Sequence, residues 1–180
     1  MAEQHEAIYL REITETDLPL INEWRRDRDI ADSLGGTFRF SNLESDAEWF
    51  AAYGRSRDRN VRLAVVLRET DELIGVAYIL GIDWVNRSAE YGSFIGAKEQ
   101  QGKGYGTAAE RMALEHAFMD LNLHRMYCTA LADNARALHM HEKNGFRREG
   151  VMRDTAFKNG VYKDVVILGM TRQDFLDLHG

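Results

Sequence analysis

Cysteine is nearly absent from this chain. Cys128 is the only one among 180 residues, so no intrachain disulfide can form, and a reducing compartment fits. Proline also occurs once, at Pro19. No apolar run approaches the roughly 18 residues that a membrane-spanning helix needs, so no membrane partner is expected. The opening stretch, MAEQHEAIYL, lacks a basic region followed by a long apolar core. No signal peptide is expected there, and the expected location is cytoplasmic. Positive charge is in deficit: 23 Lys and Arg against 29 Asp and Glu give a net charge of −6. That argues against nucleic acid as the main partner, because phosphate backbones select basic surfaces. It favours cationic or neutral small substrates. The histidines show no metal-ligand spacing beyond His139 and His141, which fall on different faces of a helical pattern, so no metal is expected.

What remains is the composition of a soluble domain with a real core, 44% hydrophobic and 29% charged. The length favours one domain over residues 1–180, and there are no repeats or low-complexity segments. Residues 7–13 read as a strand. Residues 14–34 read as one helix, capped by Thr16 or Asp17, with Leu18, Ile21 and Trp24 on a shared face. After a loop over 35–40, residues 41–56 form a second helical region with Ser41 and Glu44 at capping-box spacing. Strands follow at 61–67, 72–82 and 88–96, then a helix over about 105–121 with Ala109, Met112, Ala113 and Ala117 on one face. A strand at 125–131 and a helix at 134–144 come next, the latter starting at Asp133 or Asn134 and ended by Gly145. Strands at 146–157 and 161–170 close the chain around a KNG turn. This order predicts an α+β fold around a mixed sheet, not a regular doubly wound one. Cys128 lies in a strand pattern and reads as core.

The stretch EQQGKGYGTAAERM, 99–112, concentrates Gly102, Gly104 and Gly106 ahead of a helix. The dinucleotide fingerprint requires a third glycine where this chain has Thr107. The triphosphate loop requires Ser or Thr directly after lysine, and Lys103 is followed by Gly104. Two readings stay open on the residues alone. One is a flexible loop before a helix. The other is a nest of inward N–H groups at a positive helix terminus, suited to a pyrophosphate.

The run QGKGYGT at 101–107 resembles the Gln/Arg-x-x-Gly-x-Gly/Ala signature of the GNAT superfamily of N-acetyltransferases, through Gln101, Gly104 and Gly106. The segment ADNARALHMHEKNGF, 132–146, is similar to the family's second cofactor segment. FRREGVMRDTAFKNGVYKDVVILGM is similar to its closing hairpin. The resemblance covers about residues 7–172. It implies a central, mostly antiparallel sheet of about six or seven strands, splayed at the cofactor site and flanked by about four helices. It implies acetyl-CoA as cosubstrate, bound by Gln101, Gly102, Lys103, Gly104, Tyr105, Gly106 and Thr107 at the pyrophosphate. Phe94, Ile95 and Gly96 would hold the pantetheine arm by backbone groups, one N–H also serving the oxyanion. Asn134 would hydrogen-bond the same arm, with Lys143 in the downstream Glu-Lys element.

The implied reaction moves acetyl to an amine, which requires a base for the amine, donors for the oxyanion and a proton for the departing thiolate. Glu90, among apolar and aromatic residues on the strand before the loop, is the candidate base. His141 stands where the family usually has its tyrosine acid. Histidine can also donate a proton near neutrality, and the lost tyrosine raises the alternative of a non-catalytic acyl-CoA sensor. For the acceptor, EWRRDRDI, DAEWF and the closing hairpin resemble the branch that acetylates nucleotide-linked amino sugars and its ribosomal-protein-alanine relatives. Arg25, Arg26 or Arg28 would then meet a nucleotide phosphate. The alternatives are protein N-terminal amines and polyamines. Family members are often dimers, so a homodimer is a further expectation.

Overall fold

The computed structural model describes residues 6–179. One seven-stranded sheet runs through them in the order β1-β2-β3-β4-β5-β7-β6. The strands are β1 (Ile8–Glu12), β2 (Val61–Leu67), β3 (Leu73–Asp83), β4 (Ser88–Ile95), β5 (Arg125–Leu131), β6 (Arg147–Lys158) and β7 (Val161–Thr171). Every pairing is antiparallel except that of β4 with β5. The mixed, mostly antiparallel sheet expected from the sequence is therefore present.

The helices are α1 (Leu18–Arg26), α2 (Arg28–Ser33), α3 (Leu43–Gly54), α4 (Tyr105–Glu115), α5 (Ala135–Lys143) and α6 (Arg172–His179). They divide between the two faces of the sheet. Trp24 of α1 meets the edge of Phe94 on β4, with ring centroids 6.2 Å apart. Trp49 and Tyr53 of α3 share the Arg62 guanidinium with Tyr78 of β3. The opposite face is packed by α4 and α6, where Phe118 and Phe175 are both buried. Among the described residues no helix is long and apolar enough to cross a membrane.

Several boundaries depart from the sequence reading, each for a local reason. The single helix expected over 14–34 breaks at Asp27, whose backbone is extended and whose carboxylate accepts from the N–H groups of Asp29 and Ile30. That cap starts a new helix at a new angle. Neither Thr16 nor Asp17 caps α1 by a side chain. Thr14 and Asp17 instead form a capping box around the short 3-10 turn Glu15–Asp17. The second helix is capped by Asn42 with Ser45, not by Ser41 with Glu44. Ser41 instead accepts from the Asn22 amide at 3.2 Å. The helix expected to reach residue 121 is α-helical to Glu115 and ends in a π-helical turn, His116–Asp120. The terminal α6 has no counterpart in the sequence reading.

Candidate active site

The site is built where β4 and β5 part. They pair only through Ser88, Ala89 and Glu90 against Arg125, Met126 and Tyr127, so β4 runs on to Ile95 without that neighbour. The phase of the remaining ladder decides which backbone groups face the gap. Gly96 N–H donates to Ile74 O of β3 at 2.9 Å. In an antiparallel ladder hydrogen-bonded pairs alternate, so Phe94 opposite Val76 and Gly92 opposite Tyr78 also point at β3. Ser93 and Ile95 turn the other way. Ile95 C=O faces the gap and accepts from the Gln101 amide at 2.8 Å. Of the expected trio Phe94, Ile95 and Gly96, only Ile95 therefore offers its backbone N–H to the gap. Gly96 has a packing role instead: a Cβ there would lie 1.9 Å from the Trp24 ring.

The glycine loop divides its work among its members. Gly102 and Gly104 adopt φ of +80° and +88°, a region that costs any side-chain-bearing residue. A Cβ on Gly102 would meet open space, so conformation alone selects that glycine. Gly106 has ordinary dihedrals, but its Cβ would lie 3.1 Å from the Met140 sulfur, which draws α4 and α5 together. Gly104 is the N-cap of α4 and supplies no capping side chain. The first N–H groups of α4 thus face the cavity uncapped, as an anion site requires.

That cavity has a volume of about 830 Å³. Glu90, Phe94, Ile95, Gln101, Gly102, Gly104, Tyr105, Gly106, Thr107, Asn134, His141 and Lys143 all line it. Lys103 does not: it is exposed and its ammonium donates to the Gln100 side chain at 2.9 Å. Asn134 spends both ends of its amide on the protein, accepting from Ala137 N–H and donating to Ser33 O at 2.9 Å. It caps α5 and ties it to the end of α2. Arg136, missed by the sequence reading, also lines the cavity and brings a cation beside Lys143. The cavity so described fits a pantetheine arm and its pyrophosphate: uncapped helix N–H groups, two left-handed glycines, free strand backbone and the cations Arg136 and Lys143, a third, Lys98, being paired with Asp27 and Asp29.

Two titratable groups flank the gap from opposite faces. Glu90 lies on the α1 face, half-buried, and burial raises its pKa above the ordinary carboxylate value, with the Thr129 hydroxyl opposing in part. His141 lies on the α4 face, with Tyr91 and Phe146 edge-on to its ring at 6.3 and 5.7 Å. Its Nδ1 is 2.5 Å from Oε1 of Glu110, a carboxylate with no exposed surface. Cys128 is buried on the same face, and burial pushes its thiol well up, so it carries no nucleophile. None of Arg25, Arg26 and Arg28 lines the cavity. Arg25 is paired with Asp46, Arg28 lies over the Phe38 ring at 3.7 Å, and Arg26 borders a separate shallow groove.

A profile of the acetyltransferase (GNAT) domain matches residues 7–147. The chain belongs to the GNAT acetyltransferase family. Among its GNAT relatives, a spermidine N(1)-acetyltransferase of Vibrio cholerae serotype O1 is 31% identical over 170 residues, 93% of this chain and 95% of that protein. A putative ribosomal N-acetyltransferase of Bacillus subtilis (strain 168) is 37% identical over 103 residues, 57% of this chain and 56% of that protein. The crystal structure of spermidine N-acetyltransferase from Vibrio cholerae in complex with CoA and spermine superposes with a TM-score of 0.89. It is 28% identical and covers 95% of this chain and 99% of its own. This GNAT domain is an acetyl-CoA-dependent N-acetyltransferase.

Proposed function

We propose that the acceptor is a polyamine, acetylated on a primary amine. The carrying observation is the sign of the charge on the acceptor side of the cavity. Glu90 from β4 lines it there with no cation paired to it, whereas Asp29 from α2 lines it bonded to Lys98 at 2.8 Å and the three arginines of the WRRDRD run point elsewhere. A nucleotide-linked amino sugar needs cations at those positions; a polyamine needs carboxylates. The spermidine acetyltransferases among the relatives agree in substrate class.

In this reading the uncapped N-terminus of α4, with Arg136 and Lys143, holds the pyrophosphate, and Ile95 N–H faces the oxygen that gains charge. Glu90 takes the amine proton, directly or through water, and His141 delivers a proton to the sulfur. The C–N bond forms as the C–S bond breaks, and the proton lost by the amine balances the one gained by the thiolate. The test is thiol release from acetyl-CoA across an acceptor panel of spermidine, spermine, a nucleotide-linked amino sugar and a peptide with a free N-terminus. Spermidine or spermine should give the highest kcat/KM. A higher value for the amino sugar or the peptide overturns the assignment.

A further inference from the structure

Glu110 is the one carboxylate of the described residues with no exposed surface that also lies against a cavity-lining side chain. Both its oxygens are occupied. Oε1 meets His141 Nδ1, and Oε2 accepts from the Asn144 amide at 2.6 Å. Asn144 is itself buried and anchored by a second donation to Thr107 O at 3.0 Å. A buried carboxylate is costly unless a partner compensates it. Asn144 is neutral, so the imidazole ring of His141 is the only ionisable partner within hydrogen-bond reach.

We propose that Glu110 is a positioning residue for His141, a reading that rests on His141 being the proton donor of the proposed function. The carboxylate can only accept, so it fixes the proton on Nδ1 and leaves Nε2 as the nitrogen directed at the cavity. The rings of Tyr91 and Phe146 pack edge-on against the imidazole and flank it on the buried face. A ring that keeps its Nδ1 proton for Glu110 donates to the sulfur only from the doubly protonated state. The adjacent carboxylate balances that charge. After donation the neutral ring retains Nδ1–H on Glu110 and is set to take up the next proton at Nε2. Orientation, tautomer and charge compensation thus come from one side chain that touches neither substrate.

The substitution Glu110→Gln tests this. The Gln oxygen satisfies Asn144, so the Gln NH2 faces Nδ1 and forces the proton onto Nε2. We expect kcat to fall on the order of 10²-fold, with KM for acetyl-CoA and for the amine within about twofold. The nitrogen NMR signals of His141 should switch from the Nδ1–H to the Nε2–H pattern. In a His141→Ala background, Glu110→Gln should lower kcat no further. If Glu110→Gln fails to fold, Glu110→Asp, which withdraws the carboxylate by one methylene, enters the same cycle with the same expectation. A normal kcat in the Glu110 variant, with His141→Ala impaired, overturns the positioning role and spares His141. A further loss in the His141→Ala background shows a structural role and also overturns it. A kcat for His141→Ala within about twofold of the parent removes His141 as donor and the inference with it.

Discussion

Gly96 gives the most exacting test of how the acceptor side is held against the sheet. An alanine Cβ at this position would lie 1.9, 2.3 and 2.4 Å from three carbons of the Trp24 ring. Ordinary carbon contacts begin near 3.5 Å, so ring and strand must separate by about 1.5 Å. Neither moves freely. Trp24 is buried against Phe94, and Gly96 N–H is bonded to Ile74 O. Overpacking of a tight core costs about 1–3 kcal/mol, and an overlap this deep belongs at the upper end, about 3 kcal/mol. For a domain of this size that is a fall in Tm of about 6–12 °C. Gly92→Ala is the control, because nothing lies within 4 Å of its Cβ on the same strand. Thermal unfolding followed by circular dichroism should separate the two variants cleanly. Because Trp24 carries α1, and α1 leads into the Asp29-bearing α2, the KM for the amine should rise in Gly96→Ala more than that for acetyl-CoA. A Tm within about 2 °C of the parent would refute the packing argument.

Glu90→Gln should lower kcat on the order of 10²-fold and abolish the acid limb of the kcat/KM profile. Burial raises the Glu90 pKa, so in the parent activity should climb with pH through a value above the ordinary carboxylate range; an unchanged acid limb in the variant excludes Glu90 as base. The same raised pKa means that Glu90 favours folding below its unfolded value and loses that contribution as pH rises through the folded one. Glu90→Gln should therefore be no less stable than the parent at neutral pH, as urea unfolding will show. Gly104→Val places a β-branched residue at φ +88° and should weaken CoA binding about tenfold or more by calorimetry; unchanged affinity would remove the loop from the pyrophosphate site.

The parts of this molecule that could be read in the sequence are those whose causes are local. Gly145 at φ +101° ends α5, and Asn159 and Gly160, both at positive φ, turn β6 into β7, as their residue types require. The reading of the glycine loop follows from glycines whose spacing excluded other phosphate motifs. What could not be read depends on distant partners. The break at Asp27 competes with an unbroken apolar period through Trp24, and Lys98 reinforces the break from across the site by pairing with Asp27 at 2.7 Å. The orientation of Ile95 rather than Gly96 follows from ladder phase, which no single strand carries. Glu110 did leave a signal. It shares the spacing of Ala113, Leu114 and Ala117, all fully buried. A lone acid on that apolar stripe needed a buried partner, and His141 lies 31 residues away.

The alternation of β4 and β5 gives the site a chemical polarity. Glu90 and Tyr127 are paired across the two strands and share a face. One residue on, Tyr91 and Cys128 turn to the other face, where both are buried. Under the proposed function, the proton acceptor and the proton donor therefore reach the gap from opposite sides of one strand, with the free Ile95 N–H between them. An acyl carbon held in that gap meets the amine from the α1–α2 side and releases sulfur toward the α4–α5 side. This separation has a physical use. A carboxylate base and an imidazolium acid on the same face would pair and neutralise each other. Here the sheet keeps Glu90 apart, and Glu110 occupies the imidazole in its place. Histidine can then stand at position 141, where the family resemblance implies tyrosine, because the buried helix face opposite supplies the Glu110 carboxylate.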